Sequence, residues 1–145
     1  MEIRTLYAKE EMLNNFQLLL EVYPQLELEA YAYELDQMLP HNYGQTCVYK
    51  DGICVALTGF WIGYKLWCGK YMELDNVVVS ATERSSGIGD VLFDYMKNFA
   101  ELEGCTMLAL DSYTDNFRAH KFFYKKGYIP RGFHFIQVLK PERVR

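Results

Sequence analysis

A chain of 145 residues, half of them hydrophobic and 23% charged, has apolar side chains enough for one buried core and no composition for long disordered tails. Its formal net charge of −4 and lack of an arginine–aromatic stripe exclude the clustered positive charge that phosphate backbones require, so nucleic acid is not an expected partner. The longest apolar-leaning run, "ICVALTGFWIGY", is too short to span a bilayer and the opening "MEIRTLYAKEEM" lacks a signal-peptide succession, so a cytoplasmic single domain over 1–145 without membrane contact is expected.

The charge is unevenly spread. Seven acids and no lysine or arginine fall between Glu10 and Tyr49, whereas Ser112 to Arg145 holds eight basic residues against two acids. Such polarity divides ligands by sign. Cys47, Cys54, Cys68 and Cys105 form no CxxC pair and the three histidines are scattered, so reduced thiols and no metal are expected.

In chain order, "IRTLY" reads as a first strand, followed by a helix over "KEEMLNNFQLLLEVY" with Met12, Phe16, Leu19, Leu20 and Tyr23 at helical spacing, ended by Pro24. A second amphipathic helix runs through "LELEAYAYELDQML" to Pro40. The period then changes to that of strands. "QTCVYKDGICVALTGFWIGYKLW" reads as two strands joined by a tight Asp51-Gly52 turn. "YMELDNVVVS" is a further strand, whose alternation puts Glu73, Asp75, Val77 and Val79 on one side and Met72, Leu74, Asn76 and Val78 on the other. After "ERSSGIG", Ile88, Val91, Leu92, Tyr95, Met96, Phe99 and Leu102 mark a core-facing helix that Gly104 can cap. "CTMLALDSY" is a strand, and "DNFRAHKFFYKKG" a short helix with Asp115 or Asn116 as N-cap and Gly127 as left-handed C-cap. Two last strands, "YIPRG" and "FHFIQVLK", are expected to close the chain.

Strand, then Arg84, Ser85, Ser86, Gly87, Ile88 and Gly89, then helix is an arrangement that presents unpaired backbone N–H groups to an anion. Gly87 and Gly89 let oxygens approach the backbone, and Arg84 adds charge. The run is neither the dinucleotide fingerprint GxGxxG nor a Walker loop.

The stretch "VVVSATERSSGIGDVL" resembles the acetyl-CoA-binding motif of the GNAT superfamily of N-acetyltransferases, R/Q-x-x-G-x-G/A between a strand and a helix, with Arg84, Gly87 and Gly89 at its three positions. Ser85 stands where many relatives carry another glycine. The run "DNFRAHKFFYKKGY" resembles the family's second cofactor motif, with Asn116, Ala119, Gly127 and Tyr128 in the matching places. The resemblance implies an α/β (α+β) GNAT fold: a mixed, mostly antiparallel sheet flanked by about four helices and splayed between its fourth and fifth strands to admit the pantetheine arm. It further implies that the backbone of Val77, Val78 and Val79 pairs with the pantetheine, that N–H groups from Arg84 to Gly89 take the pyrophosphate, and that Asn116, Ala119 and Phe123 line the cofactor. Lys121 and Lys125 then either meet the 3′-phosphate or form a solvated helix face.

Transfer of an acetyl group from acetyl-CoA to a primary amine needs a neutral amine and a place for its proton. Glu73 is the expected base, six residues before Val79 where several family members place a glutamate, with Asp75 on the same face as the reserve. The family's usual tyrosine general acid falls at Phe123, beside Tyr124. Adjacent helix residues point about 100° apart, so Tyr124 needs a helix shift to serve, and solvent or Tyr113 is the other route. The acids Glu21, Glu27, Glu29, Glu34 and Asp36 lie where the family walls its acceptor groove, which points to a small cationic amine or else to a solvated surface. A monomer or homodimer transferring acetyl directly in a ternary complex is the expected enzyme, and a silent GNAT-fold acyl-CoA sensor or scaffold the alternative.

Overall fold

The computed structural model describes Met1–Arg145, in two compact units, Met1–Leu110 and Asp111–Arg145. The first unit is built on a five-stranded sheet in the order β1-β2-β3-β4-β5, with β1 Glu2–Leu6, β2 Tyr43–Lys50, β3 Ile53–Lys65, β4 Gly69–Val79 and β5 Met107–Leu110. All neighbours are antiparallel except β4 and β5, which are parallel. A parallel pair needs a crossover, and helix α4, Ile88–Leu102, supplies it. The β2–β3 hairpin closes as expected: Lys50 pairs with Ile53 around Asp51 and Gly52, whose φ values of 52° and 78° are the two positive angles of a twisted two-residue turn.

The first expected helix is broken into α1, Lys9–Leu13, and α2, Phe16–Leu19, which raises the helix count from four to five. Asn14 and Asn15 sit at the break. Asparagine side chains compete with helical backbone bonding, and the buried Asn15 amide donates to the Tyr49 hydroxyl at 3.0 Å and to Cys47 Sγ at 3.4 Å. Helix α3, Leu28–Met38, follows and buries Tyr31 and Leu35.

The two faces of the sheet are covered differently. Met12, Leu18, Leu19, Tyr31 and Leu35 pack with Leu6, Tyr43, Cys47, Leu57 and Val78 in one cluster, which places α1 to α3 on the face that these strand residues share. On the other face α4 contacts β2, β3, β4 and β5, burying Ile88, Leu92, Phe93, Met96 and Ala100, with Phe99 edge-on to Phe60 at 5.3 Å. Leu102, expected in this core, is 88% exposed because it falls in the last turn, beside the cap. There Gly104, with φ 78°, donates to Glu101 O at 3.0 Å and Cys105 N–H donates to Ala100 O at 2.9 Å, the bond pair of a Schellman stop.

The expected sidedness of β4 holds only to Asp75. Gly59 pairs with Asp75 but Leu57 pairs with Val78, leaving Asn76 and Val77 opposite the single Thr58. Asn76 takes a φ of 53°. A bulge of this kind inverts the alternation beyond it, so Val78, rather than Val77 or Val79, shares the face of Glu73 and Asp75 through its partner Leu57.

In the second unit, helix α5 spans Phe117–Lys125, and its N-cap is Asn116, whose side chain accepts from Ala119 N at 3.3 Å. Gly127, with φ 91°, donates to Tyr124 O at 3.1 Å and Tyr128 N–H donates to Phe123 O at 3.0 Å, a second Schellman stop. The two closing strands expected over 128–132 and 133–140 do not form. Alternation survives in the side chains, where the Phe133 and Phe135 rings lie 6.0 Å apart while His134 Nδ1 reaches Asp111 Oδ2 at 2.8 Å. A strand also needs a ladder partner, and Pro130 lacks the donor for one.

Candidate active site

The turn that follows β4 is tied down from several sides. Ser80 N–H donates to Val55 O at 2.8 Å, Ala81–Glu83 makes one 3₁₀ turn, and Lys50 Nζ pairs with Glu83 Oε1 at 3.2 Å. Ser86 caps that turn through its N–H, 3.3 Å from Glu83 O, and through its hydroxyl, which donates to the same oxygen. Arg84 is extended, Ser85 is left-handed at φ 66° and Gly87 is left-handed at φ 88°. All of Arg84, Ser85, Ser86 and Gly87 are exposed, while buried Ile88 anchors the helix start. Val91 N–H bonds back to Gly87 O at 3.1 Å, joining the first turn of α4 to the glycine turn. The N–H groups of Ile88 and Gly89 open the helix, at the positive end of its dipole. Asp90 brings a carboxylate to this first turn, so Arg84 is the charge that favours an anion there.

Next to this turn the sheet opens. The β4–β5 ladder pairs Tyr71 with Met107, Met72 with Leu108, Glu73 with Ala109 and Leu74 with Leu110, and there it stops. From Asp75 to Val79, β4 keeps its β3 partners but has none on the β5 side. The edge groups of Val77, Val78 and Val79 are thus available to an extended ligand, as those of an unpaired strand edge are.

The carboxylates expected for catalysis lie at the start of this opening. Glu73 stands opposite Trp61 across β3, and Asp75 Oδ2 accepts from Trp61 Nε1 at 3.2 Å; both carboxylate residues are half-buried. Trp61 packs on Tyr43, ring centroids 4.8 Å apart. Beneath them Gln45 Nε2 donates to the Tyr31 hydroxyl at 2.7 Å and the Tyr43 hydroxyl at 3.1 Å, and burial pushes Tyr31 up to about 12 and Tyr43 higher. The bulge is held by Tyr23, whose hydroxyl donates to Asn76 Oδ1 at 2.5 Å. Trp61 and Tyr23 were not singled out from sequence as site residues. The signal for Trp61 was its place two and four residues beyond Gly59 and Leu57 on one β3 face, but pairing it with Glu73 required the β3–β4 register.

Of the N-terminal acids, Glu21 accepts from Ala81 N at 3.0 Å and so braces the glycine turn, and Asp36 pairs with Lys9 at 2.8 Å. These two have structural work, and Glu27 and Glu29 sit at the exposed start of α3. Two cavities, of about 440 and 480 Å³, are lined by neither Glu73, Asp75 nor the Arg84–Gly89 turn.

Within the second unit, Asn116 and Ala119 form the α5 cap, so this part of the second motif has a structural role of its own. Phe123 packs against Tyr128 at 6.1 Å, the apolar contact that accompanies a Schellman stop. Tyr124 is 59% exposed and Tyr113 77% exposed, and His120 Nε2 lies 2.8 Å from Tyr113 O. Lys121 and Lys125 are exposed. No group of three or more histidine, cysteine or acidic side chains is placed to hold a metal, and no helix is long and apolar enough to cross a membrane.

The chain and its fold have counterparts among known proteins. Over 125 residues the chain is 26% identical to the uncharacterized N-acetyltransferase YhdJ of Bacillus subtilis (strain 168), covering 86% of this chain and 88% of that one. Among solved structures, AAC(6′)-Iy in complex with the bisubstrate analog CoA-S-monomethyl-acetylneamine matches with a TM-score of 0.79 at 16% identity, over 96% of this chain and 97% of the other. The ribosomal-protein-alanine N-acetyltransferase of Brucella melitensis biovar Abortus 2308 matches with a TM-score of 0.76 at 18% identity, over 95% and 98%. The family model for the acetyltransferase (GNAT) family matches residues 9–128, reaching across both units and both cofactor motifs, and the chain belongs to that family of acyltransferases.

Proposed function

We propose that residues 1–145 act as a single acetyl-CoA-dependent N-acetyltransferase domain that moves the acetyl group to a small cationic primary amine by direct attack. The observation that carries this reading is the end of the β4–β5 ladder at Leu74, immediately before the bulge and the glycine turn. Pantetheine would lie along Val77, Val78 and Val79 as an added strand, and its pyrophosphate would meet N–H groups between Arg84 and Gly89 other than that of Ser86, which donates to Glu83 O. The AAC(6′)-Iy complex, which holds a CoA bisubstrate analog, supports CoA as the donor here.

In this reading Glu73 takes the amine proton, directly or through water, while the lone pair attacks the thioester carbon. A backbone N–H near Val79 would stabilise the developing oxyanion. The thiolate leaves with a proton from solvent, Tyr113 or Tyr124. Asp75, already bonded to the Trp61 indole, is better suited to hold the acceptor than to remove its proton. No cysteine lies in either motif, which favours a ternary complex over a covalent route. The acids of the N-terminal region support a cationic acceptor, reached in a cytoplasmic setting by a monomer or homodimer. The two solved relatives above carry names with different acceptors, so the shared fold does not choose one.

A CoA-thiol release assay over a panel of amines tests the reading. Turnover that prefers polyamines or aminoglycosides to neutral amines and weakens with salt is the expected result; turnover indifferent to both would remove the cationic acceptor. The second reading, an acyl-CoA sensor without turnover, is favoured by Phe123 where the family's tyrosine acid is usual, and it predicts acetyl-CoA binding with no thiol release from any amine.

A further inference from the structure

The sheet face beneath α1 and α2 carries a pair of thiols that acetyl transfer does not use. Cys47 on β2 pairs with Leu57, and Cys54 on β3 pairs with Tyr49, the two flanking an irregularity in the hairpin register. Cys47 and Tyr49 are two residues apart, so the thiols are diagonal neighbours on one face. Cys47 is wholly buried in the core cluster, while Cys54 packs against that cluster and is only half-buried. The two thiols influence each other's titration, and the buried Asn15 amide donates to Cys47 Sγ at 3.4 Å.

A cavity of about 440 Å³ gives access to one thiol of the pair. Its walls include Arg4, Asn15, Gln17, Tyr49 and Cys54, but not Cys47. The Arg4 guanidinium lies 4.2 Å above the Tyr49 ring, bringing positive charge to the cavity. Interaction with Cys47 and a backbone hydrogen bond of Ala56, with Arg4 adding to them, hold the Cys54 thiol below its ordinary value against the opposing effect of burial. Cys47 is pushed up instead, first by its interaction with Cys54 and then by burial. Reagents entering the cavity therefore meet the more nucleophilic sulfur first.

We propose that Cys54 is a peroxide-reactive cysteine and that Cys47 is its resolving partner, the pair closing to a reversible β2–β3 disulfide. The Cys54 thiolate attacks the terminal oxygen of a hydroperoxide; the O–O bond breaks and the alcohol or water leaves with a proton, giving Cys54 sulfenic acid. Cys47 then loses its proton and its sulfur attacks that of Cys54. The S–S bond forms, the S–O bond breaks and water departs. In sum, two thiols and one hydroperoxide give one disulfide, one alcohol (water, for hydrogen peroxide) and one water.

The test is independent of whether the chain turns over acetyl-CoA. The full chain is treated with one equivalent of hydrogen peroxide and mapped by non-reducing peptide mass spectrometry. The expected product is a Cys47–Cys54 linkage that has lost two hydrogens and is restored by dithiothreitol, formed roughly tenfold faster than any oxidation of Cys68 or Cys105. In Cys47→Ala, dimedone should trap a sulfenic acid on Cys54; in Cys54→Ala, Cys47 should remain unreactive on that timescale. The wild-type map stands even if a variant fails to fold. Oxidation of all four thiols at similar rates, first reaction at Cys47, or a linkage to Cys68, Cys105 or a second chain would overturn the proposal.

Discussion

At Glu73 the proposed chemistry rests on one carboxylate beside an indole-held neighbour. Glu73→Gln keeps the shape and removes the base, so kcat/KM should fall about 100-fold or more at neutral pH. The limb on which rate rises with pH should flatten; an unchanged pH–rate profile would remove Glu73 from the role. Asp75→Asn keeps an oxygen for the Trp61 N–H to reach, and should change KM for a cationic amine more than kcat. Ser85 raises a question of stability instead. Its φ of 66° is costly for a residue with a Cβ. Ser85→Gly should gain up to about 1 kcal/mol, net of the added freedom of the unfolded chain, seen as a higher melting temperature. A lower one would mean that the serine side chain supports the turn.

Among the elements, β4 and α5 show how a motif divides between binding and folding. The bulge at Asn76 turns Val77 and Val79 to the α4 face and leaves Val78 in the core with Leu57, so the strand changes sidedness as it passes from the carboxylates to the glycine turn. The second motif reads as the two ends of α5: Asn116 bonded to Ala119 at the start, Gly127 and Tyr128 making the stop. An added Cβ at Gly127 would meet nothing within 4 Å, so the cost of Gly127→Ala is that of the backbone angle alone. We expect a loss of about 1 kcal/mol, measured by denaturant unfolding, with any change in CoA affinity following from loosening of α5. Asn116→Ala should cost a similar amount through the lost cap.

For the molecule as a whole, buried phenols set the alkaline limit. Tyr31 is pushed up to about 12 by burial in the first unit, and Tyr128 likewise in the second, against an unfolded value near 10. The unfolded chain then releases these protons first as pH rises. The stability they confer is fully present below about pH 10 and is lost as pH climbs through about 12. Tyr31→Phe should flatten this alkaline loss of stability in denaturant titrations between pH 9 and pH 12, approximately, after allowing for the lost Gln45 bond; an unchanged slope would mean that other groups govern it.

Local chemistry determined much of this protein before any tertiary contact was known. Asp51-Gly52 specified its turn because two positive φ angles suit few other pairs, and Gly104 and Gly127 specified helix ends for the same reason. The two cofactor motifs were legible because strand-to-helix and helix-capping geometry need particular residues at fixed spacing. Packing decided the rest. Asn15 broke a helix that periodicity alone would have continued, because its amide finds Tyr49 and Cys47 some thirty residues on. The extra residue at Asn76 gave no warning in an otherwise regular alternation, since a bulge exists only relative to a partner strand. Trp61 met Glu73 and Asp75, and Cys54 met Cys47, only when strand register brought them side by side. Residues distant in sequence acquire such neighbours from the fold, and the fold also determined that the ladder beside Leu74 ends and leaves an open edge.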